Sequence, residues 1–315
     1  MVHLVTGAAG FIGSQLAERL IDAGERVRGV DCFTDYYDIS VKQANLGRLL
    51  GENEFEFLHL DLRTAPLGEM LRDVQVVYHQ AGQPGVRLSW ADGFSTYNDC
   101  NVLATQRLLE AARIAETERF VFASSSSVYG NADRYPVLET DLPQPHSPYG
   151  VTKLAAEHLC GLYAANFGVP TVSLRYFTVF GPRQRPDMAH HRLIESALRQ
   201  TPFPLFGDGS AIRDFTFVGD VIQANILAGH AAVAPGTVVN ICGGGATSMR
   251  ELIDAVGVAV GAPVPVKQLP SQLGDVDRTG GSNALASSML GWSATPNLSD
   301  GIQAQVDWHR EQHRQ

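Results

Sequence analysis

The chain has 315 residues, 44% hydrophobic and 18% charged, enough for one large domain or two closely packed ones around a sizeable core. Its formal net charge of −9, with no run of Lys and Arg, argues against a nucleic-acid surface or an anionic-membrane footprint. No apolar stretch approaches the roughly 18 residues of a spanning helix, and Met1-Val2-His3-Leu4-Val5-Thr6-Gly7 lacks the basic and apolar regions of a signal peptide, so a cytoplasmic protein without membrane attachment is expected.

In chain order, Val2–Thr6, Val27–Val30, Phe55–Leu60, Val74–Tyr78, Phe120–Ala123 and Thr171–Leu174 read as strands. Most lack polar alternation, as strands covered on both faces do. Helical periodicity lies between them, near Ile12–Ala23, Leu103–Ile114 and Lys153–Phe167. This alternation predicts an α/β fold built on a Rossmann-like, doubly wound parallel sheet. After Arg175 the texture changes: Pro182, Pro186, Pro202, Pro204, Gly207 and Gly209 punctuate short segments, which predicts a smaller, loop-rich, substrate-binding C-terminal lobe. Helical texture returns at Val218–Ala232 and Met249–Val260. The expected division is 1–175 with 214–242 for the cofactor domain, and 176–213 with 243–315 for the second lobe. Cys32, Cys100, Cys160 and Cys242 are scattered, without metal-ligand spacing or a disulfide framework, and are expected to be reduced core thiols; no metal is expected.

Thr6-Gly7-Ala8-Ala9-Gly10-Phe11-Ile12-Gly13 follows the first strand and opens the first helix. Gly7, Gly10 and Gly13 allow a tight turn and close approach of a pyrophosphate to the helix N-terminus, beside Phe11 and Ile12. The spacing is Gly-x-x-Gly-x-x-Gly rather than the commoner Gly-x-Gly-x-x-Gly, and an unliganded turn is the bland alternative. Asp31 ends the second strand, where a carboxylate accepts from an adenosine ribose and repels a 2′-phosphate; no Lys or Arg follows it, so the expected cofactor is NAD rather than NADP. Asp61, followed by Leu62, is placed to meet the adenine edge or merely to cap a turn.

Tyr149 and Lys153 stand four residues apart, one helical turn on one face. An ammonium beside a phenol favours the phenolate, which makes Tyr149 a candidate base near neutral pH. The pair alone is also compatible with an ordinary amphipathic helix. The run Ser124 to Ser127 ends a strand, where sheets of this kind bind ligands.

Taken together, the glycine triplet, Asp61-Leu62-Arg63, the serine run before Val128-Tyr129-Gly130 and Tyr149-x-x-x-Lys153 resemble the extended short-chain dehydrogenase/reductase family over essentially the whole chain. Asp35-Tyr36-Tyr37-Asp38, Gly85-Val86-Arg87 and the stretch from Arg175 to Ala189 narrow the resemblance to nucleotide-sugar epimerases, and among these to UDP-glucuronate 4-epimerases. Phe180, where that pattern usually has Tyr, and His79-Gln80-Ala81-Gly82-Gln83-Pro84 depart from it.

The resemblance implies roles. Tyr149 is the general base and acid, Lys153 holds the nicotinamide ribose and lowers the tyrosine pKa, and Ser125 is the catalytic hydroxyl, able both to donate and to accept. Transient oxidation at C4 gives a 4-keto sugar that is reduced on its other face. Dehydratases of the wider group carry an acidic pair after the catalytic hydroxyl; here Ser126 and Ser127 stand there, so elimination lacks its proton-transfer partners. A glucuronate carboxylate needs hydrogen-bond donors, and Thr178, Ser127 and Arg185 are the candidates for a clamp that also resists decarboxylation. Arg87 and Arg192 are alternative cations, and a surface location is the alternative for Arg185. For the UDP half, Arg213 matches a diphosphate position, Asp275 a uridine-ribose position, Arg278 a further phosphate contact and Phe206 a base contact, with solvated charges or a core aromatic as alternatives. A UDP-glucose/UDP-galactose epimerase, a UDP-glucuronate decarboxylase and a non-catalytic NAD sensor remain the competing readings. In the family that the chain resembles, the apolar faces near Leu103–Ile114 and Lys153–Phe167 pair in a homodimer, so the resemblance implies one here.

Overall fold

A computed structural model describes residues 1–270, 274–295 and 297–314. The first half alternates strand and helix: β1 (Val2–Thr6), α1 (Phe11–Asp22), β2 (Arg26–Asp31), α2 (Ile39–Leu46), β3 (Phe55–His59), β4 (Val76–His79), α3 (Phe94–Tyr97), α4 (Ala104–Ile114), β5 (Arg119–Ser125), α5 (Pro148–Phe167) and β6 (Thr171–Tyr176). The second half contains β7 (Val179–Phe180), α6 (Ala189–Arg199), β8 (Phe203–Phe206), β9 (Ile212–Arg213), β10 (Thr216–Phe217), α7 (Val218–His230), β11 (Thr237–Ile241), β12 (Thr247–Ser248), α8 (Met249–Val260), β13 (Val266–Leu269), α9 (Ala284–Leu290) and α10 (Leu298–Gln312).

Seven strands form one parallel sheet in the order β11-β6-β5-β4-β1-β2-β3. The order in which successive strands are added reverses between β1 and β4, and ligands bind beyond the carboxyl ends of strands at such a switch point. Strand interiors are buried on both faces: Val5, Tyr78, Val121 and Val172 join the core with α1 and α7, while Leu4, Val77, Phe120 and Phe122 join the core with α4 and α5. A separate apolar cluster joins α6, α8 and α10 through Leu193, Ile194, Leu252, Val256, Ile302 and Val306. The doubly wound sheet expected from the alternation is therefore present, with a second packed layer built from the later helices. Among the described residues, no helix is long and apolar enough to cross a membrane.

Two differences from the sequence reading bear on the site. The helix expected from Lys153 begins five residues earlier, with Ser147 as N-cap accepting from the Gly150 amide (3.1 Å) and Pro148 as its first residue. Tyr149 thus lies in the first turn of α5, fixed by a cap and a proline rather than by apolar periodicity. Upstream of α4, residues Asn98–Leu103 form a π-helical turn. It aims buried Asn101, whose Oδ1 accepts from the Gln83 amide (2.7 Å) and whose Nδ2 donates to Gln83 O and to Thr152 Oγ1 (both 3.0 Å). Hydrophobic periodicity carries no signal for such a turn.

Candidate active site

One cleft at the reversal point is lined by Gly7, Gly10, Phe11, Ile12, Gly13, Asp31, Asp61 and Leu62, together with Tyr149, Lys153 and Arg185. The glycines are sterically required. Gly7 has φ +68°, and a Cβ there would lie 2.9 Å from the Ala81 amide nitrogen. A Cβ on Gly13 would lie 2.1 Å from Gly7 O. No side chain caps the N-terminus of α1. Its first amides, with the positive end of the helix dipole, remain available to an anion. Asp31 ties the turn together: Oδ2 accepts from the Ala9 amide (3.1 Å) and Oδ1 from the Phe33 amide (2.8 Å). Asp61 is chelated by Arg63, whose Nη2 donates to Oδ2 at 2.7 Å, and this hydrogen bond holds its carboxyl below the usual carboxylate range.

At the other end of this cleft, Tyr149 is half-buried, its ring edge-on to Tyr97 at 6.1 Å between centroids. Burial raises its pKa, opposed by a hydrogen bond with Ser125 and by the charge of Arg185. The four-residue spacing does bring Lys153 into the same cleft, but its ammonium donates to Ala123 O (2.8 Å), and burial lowers its pKa to about 8. Its charge is turned to the end of β5, and Ser125 and Arg185 are the groups that favour the phenolate.

A second cavity adjoins the strand end. Ser124 lines the first cleft, while Ser126, Ser127, Thr178, Arg213 and Asp275 line the second. Arg213 is largely desolvated, which lowers its pKa; it donates to Ile212 O (2.9 Å), and among the described residues it forms no salt bridge. Such a guanidinium suits an incoming anion. Asp275 instead pairs with Arg87 (2.9 Å), which stacks over the Phe206 ring at 4.2 Å.

Three substrate candidates stand differently from the sequence reading. Arg185 does reach the cleft, so it is no solvated loop arginine. However, Nε and Nη2 already donate to Asp187 (3.0 and 3.1 Å), and it lines a different cavity from Ser127 and Thr178. Arg192 lines neither cavity because its guanidinium packs over Phe203 (5.6 Å), and exposed Arg278 packs over Tyr135 (4.7 Å). The cysteine expectation is also corrected. Cys160 and Cys242 are buried, but half-buried Cys32 and Cys100 line the cofactor cleft. For Cys32 the signal was its place directly after Asp31.

The model of the NAD dependent epimerase/dehydratase family matches residues 3–242. The chain belongs to that family. It is 42% identical to an uncharacterized UDP-glucose epimerase of Bacillus subtilis, covering 97% of each chain. It is 32% identical to a probable UDP-glucuronate 4-epimerase of Rhizobium meliloti, over all of this chain and 98% of the relative. Among solved structures, UDP-glucuronic acid 4-epimerase of Bacillus cereus, in complex with UDP-glucuronic acid and NAD, superposes with TM-score 0.96 at 42% identity, covering 99% of this chain and 100% of that one. As a member of this family the protein uses NAD. The residues present fit that cofactor: a glycine cradle that a Cβ would fill, an uncapped helix N-terminus, and the Asp31 carboxylate at the end of β2.

Proposed function

We propose that the protein interconverts UDP-glucuronate and UDP-galacturonate. The observation that carries this reading is a base flanked by hydroxyls and cations: Tyr149 beside Ser125 and Arg185, next to a cavity lined by Ser126, Ser127, Thr178 and Arg213. Gly7, Gly10, Gly13, Asp31 and Lys153 would hold NAD, with Phe11, Ile12, Asp61 and Leu62 around it. When bound, NAD supplies an acceptor for the C4 hydride and gives it back.

The chain's own residues perform the rest. Tyr149 takes the proton of the sugar 4-hydroxyl as C4 is oxidised and returns it when the 4-keto sugar is reduced on its other face. Ser125, whose hydroxyl favours the Tyr149 phenolate, steadies the same oxygen. Asp275, the one carboxylate lining the second cavity among the described residues, is held by Arg87, so no free acid stands where elimination would need one. Ser127, Thr178 and the remaining Nη1 of Arg185 are the donors for a sugar carboxylate. Holding that group still keeps the C5–C6 bond out of line with the carbonyl π system and so opposes loss of carbon dioxide. Arg213 takes the diphosphate. In this reading residues 1–175 with 214–242 serve the cofactor, and 176–213 with 243–315 the nucleotide-sugar. A homodimer through α4 and α5 accompanies it, supported by exposed Ile114, Leu162 and Phe167.

A second reading has specific support. Asp187 occupies two donors of Arg185, which weakens the demand for an anionic sugar and favours UDP-glucose and UDP-galactose. Proton NMR of the purified protein with each UDP-sugar in turn separates the two. Faster turnover of UDP-glucose than of UDP-glucuronate refutes the first reading.

A further inference from the structure

Outside the cleft, the densest group of ligating side chains lies where α6 meets α10. His191 and Glu195 stand one turn apart on α6, and His309 and His313 have the same spacing at the end of α10. Donor atoms of His191, Glu195 and His309 all lie within 4.8 Å of one another, and the two imidazole centroids are 4.5 Å apart. His313 Nε2 also reaches Glu195 Oε1 at 2.8 Å.

His191 has one ring nitrogen anchored and the other left over, while His309 turns one ring nitrogen to Glu195. His191 Nδ1 lies 2.9 Å from Gln184 O. A carbonyl only accepts, so Nδ1 carries the proton and Nε2 the lone pair. His309 Nδ1 lies 2.8 Å from Glu195 Oε1, and its ring is 1% exposed. That nitrogen faces the same carboxylate oxygen that His313 Nε2 reaches. Anchoring one nitrogen to a carbonyl while the other is left for the ion, as in His191, is the arrangement of metal-binding histidines.

We propose that this cluster binds one divalent ion of the zinc class through His191 Nε2, His309 Nδ1 and Glu195, with His313 or water as the fourth ligand; the ion takes the place of the proton now shared between His309 Nδ1 and Glu195. Two or three imidazoles and one carboxylate suit Zn²⁺ or Co²⁺ rather than Mg²⁺ or Ca²⁺. Bonds of about 2.0–2.2 Å in a tetrahedron set donors about 3.4 Å apart, so His191 draws in while His309 and Glu195, now 2.8 Å apart, part slightly on binding. The partly exposed edge formed by Glu195 and His313 provides that movement and the path of entry. The ion clasps α6 to α10. Through the contact of His191 with Gln184 it also steadies the segment whose next residue, Arg185, enters the active-site cleft.

The test uses untagged protein freed of metal with EDTA and then titrated with Zn²⁺ alone by calorimetry and with Co²⁺ alone by absorption and fluorescence. Expected are one ion per chain, intense visible Co²⁺ bands of a tetrahedral site, and quenching of Trp308, whose ring centroid lies 4.8 Å from that of His309. Thermal unfolding should move to higher temperature with Zn²⁺. His191→Gln and Glu195→Gln change partly exposed residues, so both variants should keep the far-UV spectrum while losing stoichiometric binding. His309→Gln tests the buried ligand. No saturable binding in the parent protein, or one tightly bound ion retained by both His191→Gln and Glu195→Gln, overturns the proposal.

Discussion

Glu157 lies one turn beyond Lys153 on α5, and its carboxylate is the hub of a buried network behind the active site. Arg175 on β6 donates Nη2 to Oε1 (2.6 Å) and Nε to Oε2 (3.0 Å), and Ser124 donates to Oε2 (2.6 Å). The other side of Arg175 meets Tyr129 OH (2.6 Å), which donates to Asn240 Oδ1 (2.7 Å). The two charged side chains are only 5% and 4% exposed. Glu157→Ala leaves the guanidinium buried without its partner, which costs about 3–5 kcal/mol. Unfolding entropy for 315 residues is about 0.66 kcal/mol/K, so the thermal midpoint should fall by about 5–8 °C. Removing both charges with Glu157→Leu and Arg175→Met should be milder than either single change, because no orphan charge remains. Because the network joins α5, which carries Tyr149, to Ser124, next to Ser125, kcat should fall more than NAD affinity. Scanning calorimetry of the two single variants and the double variant gives the full cycle. A single variant within about 2 °C of the parent, or strict additivity in the double, would refute this reasoning.

Other perturbations test other parts of the site. Gly13→Ala drives a Cβ to 2.1 Å from Gly7 O and should weaken NAD binding at least about 10-fold, read as cofactor lost during purification; full retention counts against the cradle. Ser125→Ala removes a hydrogen bond that lowers the Tyr149 pKa. Because the base works deprotonated, the acid limb of the kcat/KM profile should move to higher pH, and an unmoved or downward-shifted limb contradicts the assignment. Tyr149→Phe should cut kcat by about 10²–10⁴-fold with the fold intact by circular dichroism, and near-normal activity removes its role as base. Arg213→Gln should raise KM about 10–100-fold by deleting a charge-assisted contact worth about 1.5–3 kcal/mol, with a smaller effect on kcat.

The cofactor half was legible because local chemistry dictates it. Gly7 needs a positive φ and Gly13 a bare Cα, requirements visible as residue types at fixed spacing after an apolar strand. Continuous apolar runs marked the six strands from β1 to β6, whereas β11, Thr237–Ile241, follows a long helix without the same contrast and was not anticipated. Side-chain partners were not legible. Nothing in the spacing of Tyr149 and Lys153 shows that the ammonium turns to Ala123 O, because that depends on where β5 ends relative to α5. Arg185 and Asp187 are two residues apart, yet their pairing is set by the turn before α6. Arg192 and Arg278 looked equivalent to Arg213 as charges, and aromatic faces supplied by distant segments withdrew them from the cavities. The π-helical turn that aims Asn101 is a tertiary adjustment with no periodic signature.

The central claim is that Tyr149 removes and restores a proton at C4 of a carboxylated UDP-sugar whose carboxyl group is held in place. A proton NMR time course of the purified protein with UDP-glucuronate tests it most directly. The account predicts a growing UDP-galacturonate anomeric signal that reaches equilibrium with the starting epimer, without net consumption of added NAD and without a UDP-pentose. A UDP-pentose as the main product, or an unchanged spectrum alongside rapid conversion of UDP-glucose, would contradict it.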